Sequence, residues 1–350
     1  MKKLLMSIIS LGIVSILLIV ILASCSKKEE TTLVIATYGG AWEESLRKAI
    51  FKPFEDSTGI KINTSVHTSD FAKLKAMVES KDVIWDVVDV EGDVHARAVK
   101  AGLVEPINYN IVDSKPLLPE AIDSNGVGIV IWSTAIAYSE KAFPNGKAHP
   151  TNWAEFWDIN KFPGKRGLRK DPYGTLEFSL LADGVNKDSL YPLDVDRALR
   201  KLDKIKKQII WWETGDQPPQ WLASGEVTVS SAYNGRIWAA RAYDNQPLAI
   251  ELGQGMMDIE WWIVPKGSKK RDVAMQFIAF ASRSLYQQNI PKYISYGPVN
   301  KDAIEKIDIK LLSELPSAPR NFNKQFLANV EWWANNKDRV LEKWNKWLLE

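Results

Sequence analysis

The chain has 350 residues, which is enough for two domains of ordinary size. Its hydrophobic content of 45% and charged content of 25% are typical of a soluble globular protein. The formal charge is +2, and removal of residues 1–24 would take away Lys2 and Lys3 and leave a neutral chain. Because no basic field or long charge run is present, we expect no nucleic-acid partner.

The N-terminal segment is typical of an exported protein. Lys2 and Lys3 are followed by an almost wholly apolar run over residues 4–22, and small residues precede Cys25, the one cysteine. This order predicts a secretory signal. Leu22-Ala23-Ser24-Cys25 resembles a bacterial lipobox, in which Cys25 becomes the lipidated first residue of the mature chain. An uncleaved membrane helix is the alternative, since about 20 apolar residues can span a bilayer. Either reading places residues 32–350 outside the cytoplasmic membrane, after a polar linker at 26–32.

Strand and helix patterns alternate along the first third of the chain. Apolar or alternating runs predict strands over 33–37, 60–66 and 83–90. Apolar residues at helical spacing predict helices over 41–55, 70–80 and 94–101. This alternation predicts a parallel α/β sheet.

The rest of the chain predicts a second α/β unit between two extended segments. The extended segments cover residues 128–138 and 257–264, and the second unit includes a helix over 194–208 and a strand over 227–232. A helix over 272–282 and one or two helices over 322–349 follow. The tryptophans of the last segment have the spacing of an amphipathic helix packed on its own domain, and a membrane-surface helix is the alternative.

The chain lacks the motifs of the common catalytic and metal sites. Its three histidines have no ligand spacing, and no phosphate loop, dinucleotide fingerprint or nucleophile turn is present. We therefore expect no metal, no cofactor and no enzymatic activity. Two alternatives stay open: an exported hydrolase that uses a pair of carboxylates, and a surface or sensory lipoprotein without a transport role.

Two stretches carry the side chains of a small-molecule pocket. Residues 230–237 place Tyr233 and Arg236 at a junction of strand and helix, and residues 257–267 place Asp258 and Glu260 on one face of a strand. Buried acids need a cation. Arg236 at a helix start needs an anion, which is either a ligand carboxylate or an internal partner, Asp258 or Glu260.

Several motifs in order resemble the spermidine/putrescine-binding protein family of bacterial ABC importers. They are Tyr38-Gly-Gly-Ala-Trp-Glu-Glu, Pro53-Phe-Glu-Asp-Ser-Thr-Gly-Ile-Lys-Ile62, Trp85-Asp-Val-Val88, Gly225-Glu-Val227, Asn234-Gly235, Glu260 before Pro265, and Tyr296-Gly-Pro-Val-Asn300. The resemblance covers residues 32–300 and implies a two-lobed α/β binding-protein fold with crossing strands at the hinge. Lobe 1 is expected at 33–132 and 260–300, and lobe 2 at 133–259 and 301–350.

The resemblance also implies the ligand-binding residues. Glu260 falls on the family's amine-binding carboxylate, Tyr233 and Asp258 fall on family tryptophans, and Arg236 replaces a small residue. The full predicted set is Tyr38, Gly39, Gly40, Glu91, Glu177, Trp212, Gln217, Tyr233, Arg236, Asp258, Glu260 and Tyr296. The family points to a polyamine ligand, whereas Arg236 beside two acids points to a zwitterion such as an ω-amino acid or an opine-like compound. The implied partners are a permease and an ATPase, with the receptor itself a monomer.

Overall fold

The computed structural model describes residues 32–68 and 71–350. Cys25, the predicted signal and most of the predicted linker lie outside the described residues. The strands are β1 (Thr32–Thr37), β2 (Lys61–Val66), β3 (Val87–Val90), β4 (Ile122–Asp123), β5 (Gly126–Ser139), β6 (Arg166–Arg169), β7 (Ile209–Trp212), β8 (Val229–Tyr233), β9 (Leu248–Ile263), β10 (Gly297–Pro298) and β11 (Phe326–Leu327).

Helices cover both ends of the sheet. They are α1 (Gly40–Leu46), α2 (Lys52–Thr58), α3 (Phe71–Ser80), α4 (Gly92–Lys100), α5 (Trp153–Trp157), α6 (Pro172–Ala182), α7 (Val195–Asp203), α8 (Gln217–Ser224), α9 (Asn234–Ala242), α10 (Arg271–Ala281), α11 (Ser284–Gln287), α12 (Lys301–Ile304), α13 (Ile309–Glu314), α14 (Pro319–Phe322) and α15 (Val330–Leu349). A π-helical turn, Arg47–Phe51, joins α1 to α2.

The strands form one sheet whose main path runs β2-β1-β3-β9-β5-β8-β6-β7. At one end, β1 pairs in parallel with β2 and β3, and at the other end β6 pairs in parallel with β7 and β8. The two long strands between them, β5 and β9, are antiparallel to each other and to their main-path neighbours β8 and β3, whereas the short β11 pairs in parallel with β9. Both predicted crossing segments are therefore present, and the predicted two-lobed α/β fold is confirmed.

Each end of the sheet has its own hydrophobic core. The first lobe packs Leu33, Phe51 and Trp262 with α10 side chains such as Phe277, and the second packs Trp153, Phe178, Trp333 and Trp344. Helix α12 contacts α11 and β10, which belong to the first lobe. The exact lobe boundaries stay a prediction.

Three predicted elements differ in extent from the elements of the structure. The strand predicted over 83–90 is regular only as β3, since the Asp86 side chain accepts a hydrogen bond from the Val34 amide and occupies the edge of β1. The helix predicted over 194–208 ends at Asp203 and resumes as the 3₁₀ turn Lys206–Gln208. The last predicted helices are split by β11.

Helix α15 packs its apolar face on the protein itself. Trp333, Trp344 and Trp347 are buried in the core of the second lobe, and the helix also contacts α4 of the first lobe. Among the helices of the described residues, none combines the length and the apolarity that a bilayer crossing demands. The tryptophan stripe is thus the core-facing side of an amphipathic helix.

Candidate ligand-binding site

A small cavity lies where the two lobes meet beside the crossing strands. Its volume is about 30 Å³, and its wall is formed by Tyr38, Trp42, Glu91, Trp132, Tyr233, Arg236, Glu260 and Tyr296. Side chains of both lobes contribute, and most of the wall is aromatic. Such a cavity at a lobe interface, with a few converging polar groups, is the usual form of a small-molecule site.

Two carboxyl groups from neighbouring strands meet at the acidic side of the cavity. Asp89 on β3 lies opposite Trp262 of β9, and Glu260 lies two residues from Trp262, on the same face of the sheet. Trp42 Nε1 donates to Asp89 Oδ2 over 2.6 Å. Burial raises the pKa of Asp89 and Glu260, and their mutual proximity holds the pKa of Glu260 well above its ordinary value.

A third acid, Glu91, joins the lobes. It follows β3 and precedes α4, and its Oε2 accepts from Arg169 of β6 over 3.0 Å, while its Oε1 accepts from the Tyr233 hydroxyl over 2.9 Å. The Glu91 amide donates to the Tyr38 hydroxyl over 3.1 Å. Burial raises the pKa of the Glu91 carboxyl, and the Arg169 charge opposes that rise. Glu91 therefore links lobe 1 to lobe 2 through Arg169 and Tyr233.

Arg236, in the first turn of α9, reaches across to the first lobe. Its Nη1 donates to Asp216 over 2.8 Å and its Nη2 donates to the Gly39 carbonyl over 3.0 Å. A Cβ on Gly40 would lie 2.5 Å from Arg236 Nη1 and 2.0 Å from Asp216 Oδ2, and Gly40 has φ of +55°. A glycine is therefore needed at position 40 for the lobes to approach this closely.

Three buried polar atoms of residues that line the cavity have no hydrogen-bond partner among the described residues. Two are donors, Arg236 Nε and Trp132 Nε1, and one is a carboxyl oxygen, Glu260 Oε1. Buried polar groups are nearly always paired. The site thus offers donors for an anion and an acceptor for a cation. No group of three or more His, Cys, Asp or Glu side chains within residues 32–68 and 71–350 could hold a metal ion.

A second cluster of charges joins the lobes outside the cavity. Lys337 of α15 is buried between Asp93 of α4, at 3.1 Å, and Asp171, at 2.7 Å. Burial opposes the charge of Lys337, but the carboxylates of Asp171 and Asp93 outweigh it and raise the lysine pKa. Nearby, Arg97 Nη2 donates to Asp338 over 2.7 Å. The largest contact between helices of the two lobes, α4 with α15, is therefore polar as well as packed.

Comparison with known proteins decides the family. Residues 49–317 match the model of a family described as bacterial extracellular solute-binding protein. The chain belongs to this family. It is therefore an extracytoplasmic solute-binding protein of the ABC-importer type and not an enzyme, as the sequence predicted.

Relatives of this solute-binding protein are similar over nearly its whole length. It is 38% identical to a gamma-aminobutyric acid (GABA)-binding protein of Pseudomonas aeruginosa over 331 residues, or 93% of each chain. The structure of AgtB from Agrobacterium tumefaciens R10 in complex with agropinic acid matches with a TM-score of 0.86 and 36% identity, and covers 91% of this chain and 99% of AgtB. A GABA receptor structure matches with a TM-score of 0.81 and 37% identity, over 91% and 97% of the chains. The family is thus supported, whereas a polyamine ligand has no support among these relatives.

The structure brings together most of the residues that the sequence singled out. Tyr38, Glu91, Tyr233, Arg236, Glu260 and Tyr296 line the cavity, and Gly39 and Gly40 lie at its edge, where Arg236 docks. Arg236 does have an internal partner, but that partner is Asp216 and not Asp258 or Glu260. Its Nε stays unpaired among the described residues.

Four predicted residues lie outside the cavity wall of this solute-binding protein. Asp258 accepts from the Tyr173 hydroxyl at 2.7 Å and the Gly92 amide at 3.1 Å, and burial raises its pKa to about 8. Glu177 accepts from Tyr191, Trp333 and Gly174 inside the second lobe. Trp212 packs edge-on behind Tyr233, with ring centres 5.3 Å apart. Gln217 accepts from the amides of Glu213 and Thr214.

Sequence reasoning missed Trp42 and Trp132 as cavity residues, and it missed Asp89 as the acid beside Glu260. Asp89 sits within the apolar run of β3, and an acid in a fully buried strand requires a partner, which is a signal that the sequence does contain. Trp42 and Trp132 carried no such signal, because a tryptophan in a helix or strand usually belongs to a core. Arg169 was also missed, since its partner Glu91 is 78 residues away in the chain.

Proposed function

We propose that this protein binds a short zwitterion of the GABA class, with an amine at one end and a carboxylate at the other, and delivers it to the permease and ATPase of an ABC importer. Glu260 meets the ammonium group and Arg236 meets the carboxylate. The receptor acts as a monomer and is tethered to the membrane by a lipid on Cys25.

The observation that carries the proposal is the set of unpaired polar atoms at the cavity. A carboxylate accepts hydrogen bonds, which Arg236 Nε and Trp132 Nε1 can donate. An ammonium group donates, and Glu260 Oε1 can accept. Charge-assisted bonds of this kind are the strong ones in a buried site. A zwitterion satisfies all three atoms at once.

Two further features favour a short zwitterion over a polyamine. The Arg236 guanidinium is buried at the cavity, where it would repel the second ammonium group of a diamine. The GABA named in two of the relatives is of this chemical class.

The proposed contacts couple binding to closure of the lobes. Glu260 lies on β9, where it pairs with Val130 of β5 next to the stretch that pairs with β3 of the first lobe, and Arg236 lies on α9 of the second lobe. A ligand held by both side chains bridges the lobes and stabilises the closed arrangement, which is a hinge closure. The aromatic rings of Trp132, Tyr233 and Tyr296 pack against its methylene groups and exclude water.

The test is a calorimetric titration of residues 26–350 with GABA, butyrate, putrescine and spermidine. We expect saturable binding of GABA, with binding of butyrate and the two polyamines at least about 100-fold weaker, since each leaves a buried polar group unpaired. Glu260→Gln and Arg236→Met should each weaken GABA binding by at least about 30-fold. The matched controls Glu226→Gln and Arg200→Met change exposed side chains and should bind as the wild type does. Putrescine binding that is tighter than GABA binding, or that survives Arg236→Met unchanged, contradicts the proposal.

A further inference from the structure

We propose that Asp89 and Glu260 form a single acid pair that holds one proton when no cation is bound, and that an amine ligand displaces this proton on binding. The inference rests on the proposed function, because it assumes an ammonium group at Glu260. It adds Asp89 as a second ligand-recognising acid and makes affinity dependent on pH.

Each carboxyl group of the pair has one buried oxygen that lacks a donor. Asp89 Oδ2 is occupied by Trp42 Nε1 at 2.6 Å, whereas Asp89 Oδ1 and Glu260 Oε1 are buried and have no donor among the described residues. The two side chains share one face of the β3–β9 ladder as diagonal neighbours. Two ionised carboxylates cannot share such a site, so one of them keeps a proton.

The charges around the pair do not replace that proton. The groups that face it are Glu91, Asp258, Arg236, Tyr296 and His67, whose Nε2 contacts the Asp89 carbonyl at 2.9 Å. Arg236 is already paired with Asp216, and Arg169 is paired with Glu91. Burial is the main cause that raises the pKa of both acids, and the charges of Glu91 and Asp258 add to it for Glu260.

An ammonium group can replace the proton as the positive charge and hydrogen-bond donor between the two carboxyl groups. It carries one positive charge and three N–H donors, enough to reach both Asp89 Oδ1 and Glu260 Oε1. When it enters, the carboxyl proton leaves to solvent, and the site then holds two carboxylates and one ammonium. The net charge of the site is unchanged by the exchange, which keeps the cost of burial low.

The pair belongs wholly to the first lobe and the strand paired with it. Asp89 is on β3, its donor Trp42 is on α1, and Glu260 is on the stretch of β9 that continues the β3 ladder. Opening of the lobes moves Arg236 and Tyr233 away but leaves the two carboxyl groups adjacent. The shared proton is therefore present in the ligand-free protein before the ligand arrives.

Calorimetric titration with GABA near neutral pH, repeated in buffers of different ionisation enthalpy, counts the protons released. We expect about 0.5 to 1 proton released per ligand, and an association constant that rises with pH until the pair is ionised. Asp89→Asn removes the carboxyl group that shares the proton with Glu260, so the proton release should fall below the wild-type count while GABA still binds. Asp302→Asn, an exposed change of the same kind, should release as many protons as the wild type.

The outcomes separate the two proposals. Absence of GABA binding by the wild type overturns the proposed function. GABA binding with fewer than about 0.1 protons released, and with an affinity that does not change between about pH 6 and 8, overturns the acid pair and leaves the proposed function standing. The wild-type proton count decides the question even where Asp89→Asn does not fold.

Discussion

Lys337→Met tests how strongly the charges between the lobes stabilise the closed arrangement. In the closed structure the Lys337 side chain is 7% exposed and its partner Asp93 is 2% exposed, with 3.1 Å between them. Methionine keeps most of the volume against Tyr173 and Trp333 but leaves Asp93 without its cation. Loss of one partner of a buried ion pair costs about 3–5 kcal/mol.

That cost falls mainly on the closed state. Asp93 is on α4 and Lys337 is on α15, and we predict that these helices separate when the lobes open, so that water then solvates the Asp93 charge. Asp171 keeps the Tyr173 amide as a donor and is 26% exposed, which limits its share of the penalty. We therefore take the lower end, about 3 kcal/mol, and expect GABA affinity to fall by about 100-fold.

The assay is calorimetric titration of Lys337→Met with GABA, together with urea unfolding to check that both lobes stay folded. The matched control is Lys343→Met on the same helix, whose partner Asp196 lies 2.7 Å away at an exposed position within the second lobe. Because exposed pairs contribute little, this control should bind GABA within about twofold of the wild type. A folded Lys337→Met protein that binds within about threefold refutes the reasoning.

Three other changes test separate parts of the account. Gly40→Ala places a methyl group against Asp216 and Arg236 in the closed state. GABA affinity, measured by calorimetry, should therefore fall at least about tenfold. Unchanged affinity would show that the lobes close differently. Asp258 has a raised pKa of about 8 in the folded protein, so the free energy of unfolding falls as pH rises above the pKa of Asp258 in the unfolded chain. Asp258→Asn should remove up to about 1.4 kcal/mol of this fall per pH unit between about pH 5 and 7.5, as measured by urea unfolding. Unfolding free energies of wild type and variant that change in parallel with pH contradict this prediction. Cys25→Ala should move the full-length protein from the detergent phase to the aqueous phase in a detergent partition assay, whereas continued detergent partition contradicts lipidation at Cys25.

The sequence predicted the lobes because strand and helix periodicity is a local signal. Helical spacing along 94–101 and alternation along 60–66 predicted which face of each element is buried. Helix α4 follows its prediction, whereas β2 follows it at Ile62 but not at Val66, which is 64% exposed. It also predicted that Tyr233, Arg236 and Glu260 belong together. Those residues lie beside turns or crossing strands, where side chains meet at the lobe interface.

Contacts between distant parts of the chain could not be predicted from the sequence. Lys337 lies on an amphipathic helix among other charged residues, so its sequence context predicts a solvent-exposed side chain. In the structure Lys337 is buried and paired with Asp93, which is more than 200 positions earlier in the chain. Asp258 shares a strand face with Glu260, as the period of two predicts, but two residues of rise place it beside Tyr173 and away from the cavity. Which acid faces the ligand depends on packing across the lobes and not on alternation.

A crystal structure of residues 26–350 bound to GABA tests the central claim most directly. We expect a ligand carboxylate oxygen within about 3.2 Å of Arg236 Nε and of Trp132 Nε1, and the ligand nitrogen at the same distance from Glu260 Oε1. A ligand with its amine toward Arg236, or one bound in the outer cleft beside Lys48 and Tyr243 with the cavity unfilled, contradicts it.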